Sequence, residues 1–294
     1  MIYWNDESTI LATGLSLKQI STLLAQNISE EELISQLELI GLKYKERYLV
    51  AKEYFSQIKS GNQKLPLILL IAGMPGVGKT ALAKELSVAF NIGITIGGDA
   101  LRSSLRTVLP KENNEVFFTS VYDSWKVFGE QTKKNLIAGF LAQSEIMNSV
   151  TKRMIVDRGL RDGESMIIEY LHFLPSQFET EIINHPSIIP IIMEINDKKI
   201  YKERIETRTK YSHLRSTGER LLKQMETYLF LQEYQCSEAR KNELTVINFN
   251  DFPSGLEQTF DFIIERIKAI NIQKDYSRKI DYLEKIEKER KDFS

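Results

Sequence analysis

"LILLIAGMPGVGKTALAKEL", residues 67–86, decides the fold. An apolar run ends in a glycine-rich turn, and a lysine, a threonine and a helical pattern follow. Gly73-Met74-Pro75-Gly76-Val77-Gly78-Lys79-Thr80 satisfies G-x-x-x-x-G-K-[ST] at every position. The chemistry asks for these residue types. Main-chain N–H groups must close on phosphate oxygens, which favours glycine at Gly73, Gly76 and Gly78. The helix starting at Gly78 adds unpaired N–H groups and the positive end of its dipole. Lys79 brings a point charge to the β- and γ-phosphates, and the Thr80 hydroxyl is a ligand for Mg²⁺. Gly73 through Ala81 is therefore the expected nucleotide site, with ATP and Mg²⁺ as its cofactors. A chance glycine turn would not need both an apolar strand before it and an alanine-rich helix after it.

Outward from this loop the pattern alternates. Buried parallel strands read as near-continuous apolar runs, and five are found at 67–71, 92–96, 165–169, 188–195 and 244–249. Helical patterns lie between and after them at 81–90, 115–129, 132–150, 198–209 and 219–241. Strands alternating with helices predict an α/β, doubly wound parallel sheet with ligands at the carboxyl ends of its strands. Residues 1–62 read as a small helical appendage, in which Ser29 and Glu32 form a capping-box pattern. Residues 63–272 read as the catalytic domain, and 273–294 as a charged helical tail that leaves a homodimer contact open.

The 294 residues are 42% hydrophobic and 27% charged, with a formal net charge of −1. No global field pulls the chain towards nucleic acid or membrane. The lone Cys236 excludes an intrachain disulfide. The start, "MIYWNDESTI", lacks the basic and apolar regions of a signal peptide, so a cytoplasmic protein is expected.

The loop alone does not separate kinases from other nucleotidases. No N-K-x-D guanine signature occurs, and the residues after the second strand read "ITIGGDALRSSLR". In small P-loop kinases the acceptor binds there. Asp99 can orient an alcohol or take its proton. Arg102 and Arg106 follow on one helical face and suit an anion. Asp99 as a helix cap with Arg102 in a surface ion pair fits the same letters.

The sequence resembles the archaeal 2-phosphoglycerate kinases, P-loop kinases that make 2,3-bisphosphoglycerate from 2-phosphoglycerate and ATP. The resemblance runs through "AGMPGVGKTALAKELSVAFNI", "TIGGDALRSSLR", "SVYDSWKVFG", "NLIAGFLAQSEIM", "RGLRDGESMIIEYLHFLP", "YLFLQEY" and "TVINFNDF". Glu169-Tyr170-Leu171-His172 stands where the family has E-G-x-H, with tyrosine replacing glycine. The family's N-terminal ATP-cone domain is not carried over to residues 1–60, which are too short and too helical. The kinase topology, strand order 2-3-1-4-5, places Glu169 beside the phosphate loop. There it supports Mg²⁺ or polarises the acceptor, or else sits in a salt bridge at the edge of the core. His172 either donates to the acceptor or packs. Asp157 reads as structural or as part of a pocket rim.

After the fourth strand, residues 198–220 are dense in cations, among them Arg204 and Arg208. A lid that brings arginines onto the transferring phosphoryl group fits this position, as does a solvated charged helix pair. "EVFFTSVYDSWKVFG" is read mainly as core, with Tyr122 able to face the pocket, and 247–251 is expected to border the adenine. The expected activity is transfer of the γ-phosphoryl group of ATP to a small phosphorylated acceptor, first 2-phosphoglycerate. The catalytic residues would be Lys79, Asp99, Glu169, Arg204 and Arg208. The acceptor would meet Asp99, Arg102, Arg106, Tyr122 and His172, and the metal Thr80 and Glu169. A nucleoside, a sugar or a polynucleotide 5′-hydroxyl are other acceptors, although a nucleic-acid partner is not expected at this charge. A nucleotide-gated regulatory protein is the reading from a different class.

Overall fold

β1 (Ile68–Ala72) is apolar and buried at every position, as a strand covered on both faces must be. Its residues alternate between two layers. Leu69 and Ile71 pack with Tyr54, Leu82, Leu86 and Ile263, whereas Ile68, Leu70 and Ala72 pack with Phe117, Met147 and Cys236. In the computed structural model, which describes residues 9–26, 28–211 (208–211 by backbone alone) and 218–274, β1 is the centre of a five-stranded sheet. The other strands are β2 (Ile94–Gly97), β3 (Met166–Tyr170), β4 (Ile188–Glu194) and β5 (Val246–Asn248). The order is β2-β3-β1-β4-β5 and every pairing is parallel, as the sequence predicts. The register sets Glu169 opposite Ile71 on one side and Gly97 on the other.

α1 (Leu17–Leu24) and α2 (Glu30–Ile40) open on capping boxes, Ser16 with Gln19 and Ser29 with Glu32. α3 (Leu42–Lys59) sends Ala51, Tyr54 and Phe55 into the main core. A smaller cluster holds Ile10, Leu15, Ile20, Leu23, Leu37 and Tyr48. α4 (Lys79–Ala89) follows the phosphate loop and α5 (Gly98–Val108) follows β2. α6 (Lys133–Met154) runs into a π-helical turn, Ile155–Arg161, before β3. α7 (Lys198–Tyr211), α8 (Glu219–Lys223), α9 (Met225–Lys241) and α10 (Phe252–Gln273) complete the order. The charged tail expected from 273 lies outside the described residues from 275 on.

α3 is fastened to α10. The buried Arg47 donates to Asp261 Oδ1 at 2.7 Å, to Glu257 Oε2 at 2.9 Å and to the Thr13 carbonyl at 2.8 Å. Asn271 Nδ2 donates to the Val50 carbonyl at 3.1 Å, and Lys268 pairs with Glu46. No helix among the described residues is long and apolar enough to cross a membrane.

Two expected helices are broken. The stretch 115–129 forms a short helix, Glu115–Phe118, and a 3₁₀ segment, Val121–Phe128. The carbonyls of Phe117 and Thr119 are taken by side chains of α5 and α6, so they cannot serve a continuous helix. Within this block Phe117 and Val121 are core, while Phe128 is exposed. The helix expected over 219–241 is interrupted at Gln224, which leaves helical angles.

Candidate active site

The phosphate loop joins β1 to α4. Gly73, Gly76 and Gly78 take φ of 151°, 95° and 102°, values that side chains disfavour. A Cβ on Gly73 would also come 2.9 Å from the Met193 carbonyl oxygen, so β4 crowds the loop from behind. The first-turn N–H groups of α4 have no intrahelical partner. Lys79 Nζ donates to the Met74 carbonyl at 3.2 Å and lies within the loop it would share with a phosphate.

Glu169 reaches the same place from β3. Its side chain falls on the α4 face of the sheet, and its Oε1 accepts from the Thr80 hydroxyl at 2.9 Å. Two hard oxygen donors, one from the first turn of α4 and one from the end of β3, beside a phosphate cradle, suit Mg²⁺, which takes one or two carboxylates, phosphate oxygens and waters. Among the described residues no group of three or more His, Cys, Asp or Glu could hold a metal unaided.

Across Glu169 lies α5. Gly98 sits directly over β3, and a Cβ there would meet Tyr170 Cβ at 2.3 Å. Asp99 is exposed in the first turn, and no side chain caps this helix. Arg102 does not form the surface ion pair that the sequence allowed. Its Nη2 donates to the carbonyls of Thr119 at 2.5 Å and Phe117 at 3.2 Å. Arg106 Nη2 donates to the same two oxygens, at 2.9 and 2.7 Å. Both guanidiniums lie against the Phe117 ring, 5.4 and 5.9 Å from its centroid. Two like charges thus stand together on neutral carbonyls, and Arg102 Nε is buried without a partner. Burial, and then the neighbouring Arg106, push Arg102 down to about 10, while Asp99 pulls it upward.

The segment after β3 is held by buried amides that the sequence did not single out. Gln235 Nε2 takes the Leu171 and Phe173 carbonyls, each at 2.8 Å, and Asn148 Nδ2 takes the His172 carbonyl at 3.0 Å. Tyr170 is buried on the face opposite Glu169 and donates to Asn148 Oδ1 at 3.0 Å. It therefore packs beneath α5 and does not line the cleft. His172 is packed too, its ring stacked on Phe140 and its Nε2 3.3 Å from Gln143 Oε1. Burial and the charges of Arg102, Lys79 and Arg106 hold its imidazole well below the ordinary histidine value. For Gln143 and Asn148 the one signal was periodicity, because Phe140, Gln143, Ser144, Met147, Asn148 and Thr151 form a single buried stripe on α6, and Gln235 shares a buried stripe on α9 with Leu231, Cys236 and Ala239.

The remaining expected residues make other contacts. Arg204 donates to the carbonyls of Val77 at 3.1 Å, Asn250 at 3.1 Å and Phe249. Tyr201 donates to the Pro75 carbonyl at 2.7 Å. In this conformation the start of α7 braces the phosphate loop, with the Arg204 guanidinium spent on main-chain oxygens. The side chain of Arg208 lies outside the described residues. Tyr122 meets Tyr228 edge-on, with ring centroids 6.0 Å apart. Within 247–251, Asn250 accepts from the Asn196 and Asp197 amides and so ties the end of β5 to that of β4. Asp157 bridges Arg153 and Arg161 on the π-helical turn before β3, which makes it structural.

No protein-family model matches the chain. It is 31% identical over 195 residues to mevalonate-3-phosphate 5-kinase of Thermoplasma acidophilum, covering 66% of this chain and 94% of that one. It is 30% identical over 250 residues to 2-phosphoglycerate kinase of Pyrococcus horikoshii, covering 84% and 78%. To 2-phosphoglycerate kinase of Methanopyrus kandleri it is 29% identical over 247 residues, covering 82% and 73%.

Proposed function

Because the chain belongs to the 2-phosphoglycerate kinase family of P-loop kinases, and is thus a phosphotransferase acting on a small substrate, we propose that it moves the γ-phosphoryl group of ATP to a hydroxyl of a phosphorylated hydroxy acid. The preferred acceptor is 2-phosphoglycerate, giving 2,3-bisphosphoglycerate. One observation carries this reading. Arg102 and Arg106 stand side by side over the Phe117 ring, across Glu169 from the phosphate loop, and among the described residues their hydrogen-bond acceptors are main-chain carbonyls. A carboxylate or phosphate supplies the countercharge that these carbonyls lack.

In this proposal the loop amides of Gly73–Thr80 wrap the β- and γ-phosphates. Lys79 leaves the Met74 carbonyl for them. Thr80 and Glu169 would hold Mg²⁺, which when bound would neutralise charge developing on the phosphate oxygens. Arg102 and Arg106 take the acceptor's anionic groups and set its hydroxyl toward the phosphate. Asp99 orients that hydroxyl and accepts its proton as the new P–O bond forms and the bond to ADP breaks; the proton then passes to water. α7 carries Tyr201 and Arg204 onto the loop and keeps its shape. The acceptor is held by charge and not by ring stacking.

Mevalonate 3-phosphate is the second reading, favoured by the relative named for it. Both named acceptors are phosphorylated carboxylic acids with a primary hydroxyl. They differ in the carbon distance from hydroxyl to phosphate, and so in the reach required from the arginine pair. ATP consumption and product mass would be measured with 2-phosphoglycerate, mevalonate 3-phosphate, a sugar, a nucleoside, a 5′-hydroxyl oligonucleotide and no acceptor. ADP release that depends on 2-phosphoglycerate, with a bisphosphorylated product, supports the first reading. Turnover only with mevalonate 3-phosphate selects the second. Turnover with an uncharged acceptor, or ATP binding with no acceptor dependence, overturns both.

A further inference from the structure

Gln143 lies at the midpoint of α6 and is fully buried. Its Nε2 donates to the Val116 carbonyl at 2.6 Å, to Thr119 Oγ1 at 3.1 Å and to the Thr119 carbonyl at 3.3 Å. Thr119 Oγ1 spends its own hydrogen on the Val116 carbonyl at 2.8 Å, so it is an acceptor toward Gln143. Three acceptors therefore fix which end of the amide carries nitrogen. The other end, Oε1, faces His172 Nε2 at 3.3 Å. An amide oxygen only accepts, so this contact asks for a hydrogen on His172 Nε2, and in a neutral ring Nδ1 is then bare. A charged ring would add to the cations already near it, Lys79 on α4 and Arg102 and Arg106 on α5, in a place shut off from water. His172 is then no anion donor, because its single N–H is spent.

The Thr119 carbonyl that Gln143 steadies is also the one on which Arg102 and Arg106 hang. We propose that Gln143 is a positioning residue of the acceptor site. Its NH₂ group sets the carbonyl shelf that aims both guanidiniums, and its oxygen holds His172 as the uncharged Nε2–H tautomer. The shelf half rests on reading the arginine pair as the acceptor's anchor. The tautomer half is independent of which acceptor is used.

The chain has three histidines, so His172→Asn assigns the ring's signals in a ¹⁵N-edited NMR spectrum of the whole protein. The wild type is expected to show a neutral Nε2–H ring between about pH 5 and 8, the range in which an ordinary histidine titrates. Gln143→Met is expected to release the ring to mixed tautomers. It should raise KM for 2-phosphoglycerate about tenfold, the scale of one lost buried hydrogen-bond anchor, with KM for ATP unchanged. Gln143→Glu keeps an acceptor for Nε2 but loses the amide donors, so Nε2 should keep its hydrogen while KM for 2-phosphoglycerate still rises. It also serves if the methionine variant fails to fold. A wild-type ring carrying its hydrogen on Nδ1, or titrating near neutrality, overturns the tautomer. An unchanged KM for 2-phosphoglycerate in a folded Gln143 variant overturns the shelf while leaving the kinase reading intact. A wild type without acceptor-dependent turnover removes the kinase reading and the shelf together, and leaves the ring state to be judged by its spectrum.

Discussion

Gly98→Ala tests how tightly the acceptor helix is seated. The added methyl would lie 2.3 Å from Tyr170 Cβ, 2.9 Å from Tyr170 Cα and 3.1 Å from the Glu169 carbonyl oxygen. Carbon atoms rest at about 3.5–4.0 Å, so α5 must lift from β3 by about 1 Å or more. Two of the three obstacles are backbone of a buried strand, and the third is a β-carbon that cannot rotate away. Overpacking of this kind costs about 1–3 kcal/mol. At this chain length that lowers Tm by roughly 5 °C. Asp99 and Arg102 ride on the lifted helix while the phosphate loop stays in place. A displacement of about 1 Å at a reacting group costs on the order of a hundredfold in turnover, so kcat should fall by about that factor with ATP affinity unchanged. Thermal unfolding, ATP calorimetry and acceptor kinetics read the three quantities. Gly93→Ala is the control, since nothing lies within 4 Å of the added Cβ. A Gly98→Ala protein with wild-type Tm and kcat would refute the reasoning, and so would equal losses in both variants.

Three further outcomes follow from the same geometry. Glu169→Gln keeps an oxygen for the Thr80 hydroxyl, so Tm should hold while the Mg²⁺ needed for half-maximal rate rises; a magnesium titration showing no shift would remove Glu169 from the metal site. His185 is pushed down to about 4 by burial, and its Nδ1 accepts from the Ser187 amide at 3.2 Å. The unfolded ring, near 6.5, then binds protons first as pH falls, so stability is full above that value and declines toward pH 4, by about 2 kcal/mol at pH 5. Urea unfolding should show this slope flattened in His185→Gln, although not abolished, because His172 shifts in the same direction. Cys236 is buried and its thiol is pushed up to about 12, first by burial and then by Glu194, so a thiol reagent at pH 8 should label it only after unfolding.

The sheet and the phosphate loop were legible because each rests on short-range pattern. An apolar run next to a glycine turn encodes itself, and five such runs give a parallel sheet. The pairing of Arg102 with Arg106 was legible too, since it needs only helical spacing. What occupies those arginines was not. The carbonyls that hold them lie 11 to 17 residues on, and they become available only where the helix expected over 115–129 gives way. Gln143, Asn148 and Gln235 were missed for a related reason. A glutamine in a helix looks like solvent-facing sequence until the stripe it shares, with Phe140 and Met147 on α6 or with Leu231 and Cys236 on α9, proves to be buried. Tyr170, which stands where the family has glycine, is explained by strand alternation. One position along a strand turns a side chain to the other face, so the residue beside Glu169 belongs to the core and not to the cleft.

The fastening of α3 to α10 bears on how this chain leaves the ribosome. Arg47 is made before its carboxylate partners, which lie 210 and 214 residues further along the chain. Until they appear, a cation meant for the interior stands in the open, and Tyr54 and Phe55 have no Phe260 or Ile263 to close over them. Completion of the core is therefore postponed until α10 has been made. A chain cut short before α10 carries a bare apolar seam, and that seam marks it for chaperones and proteases.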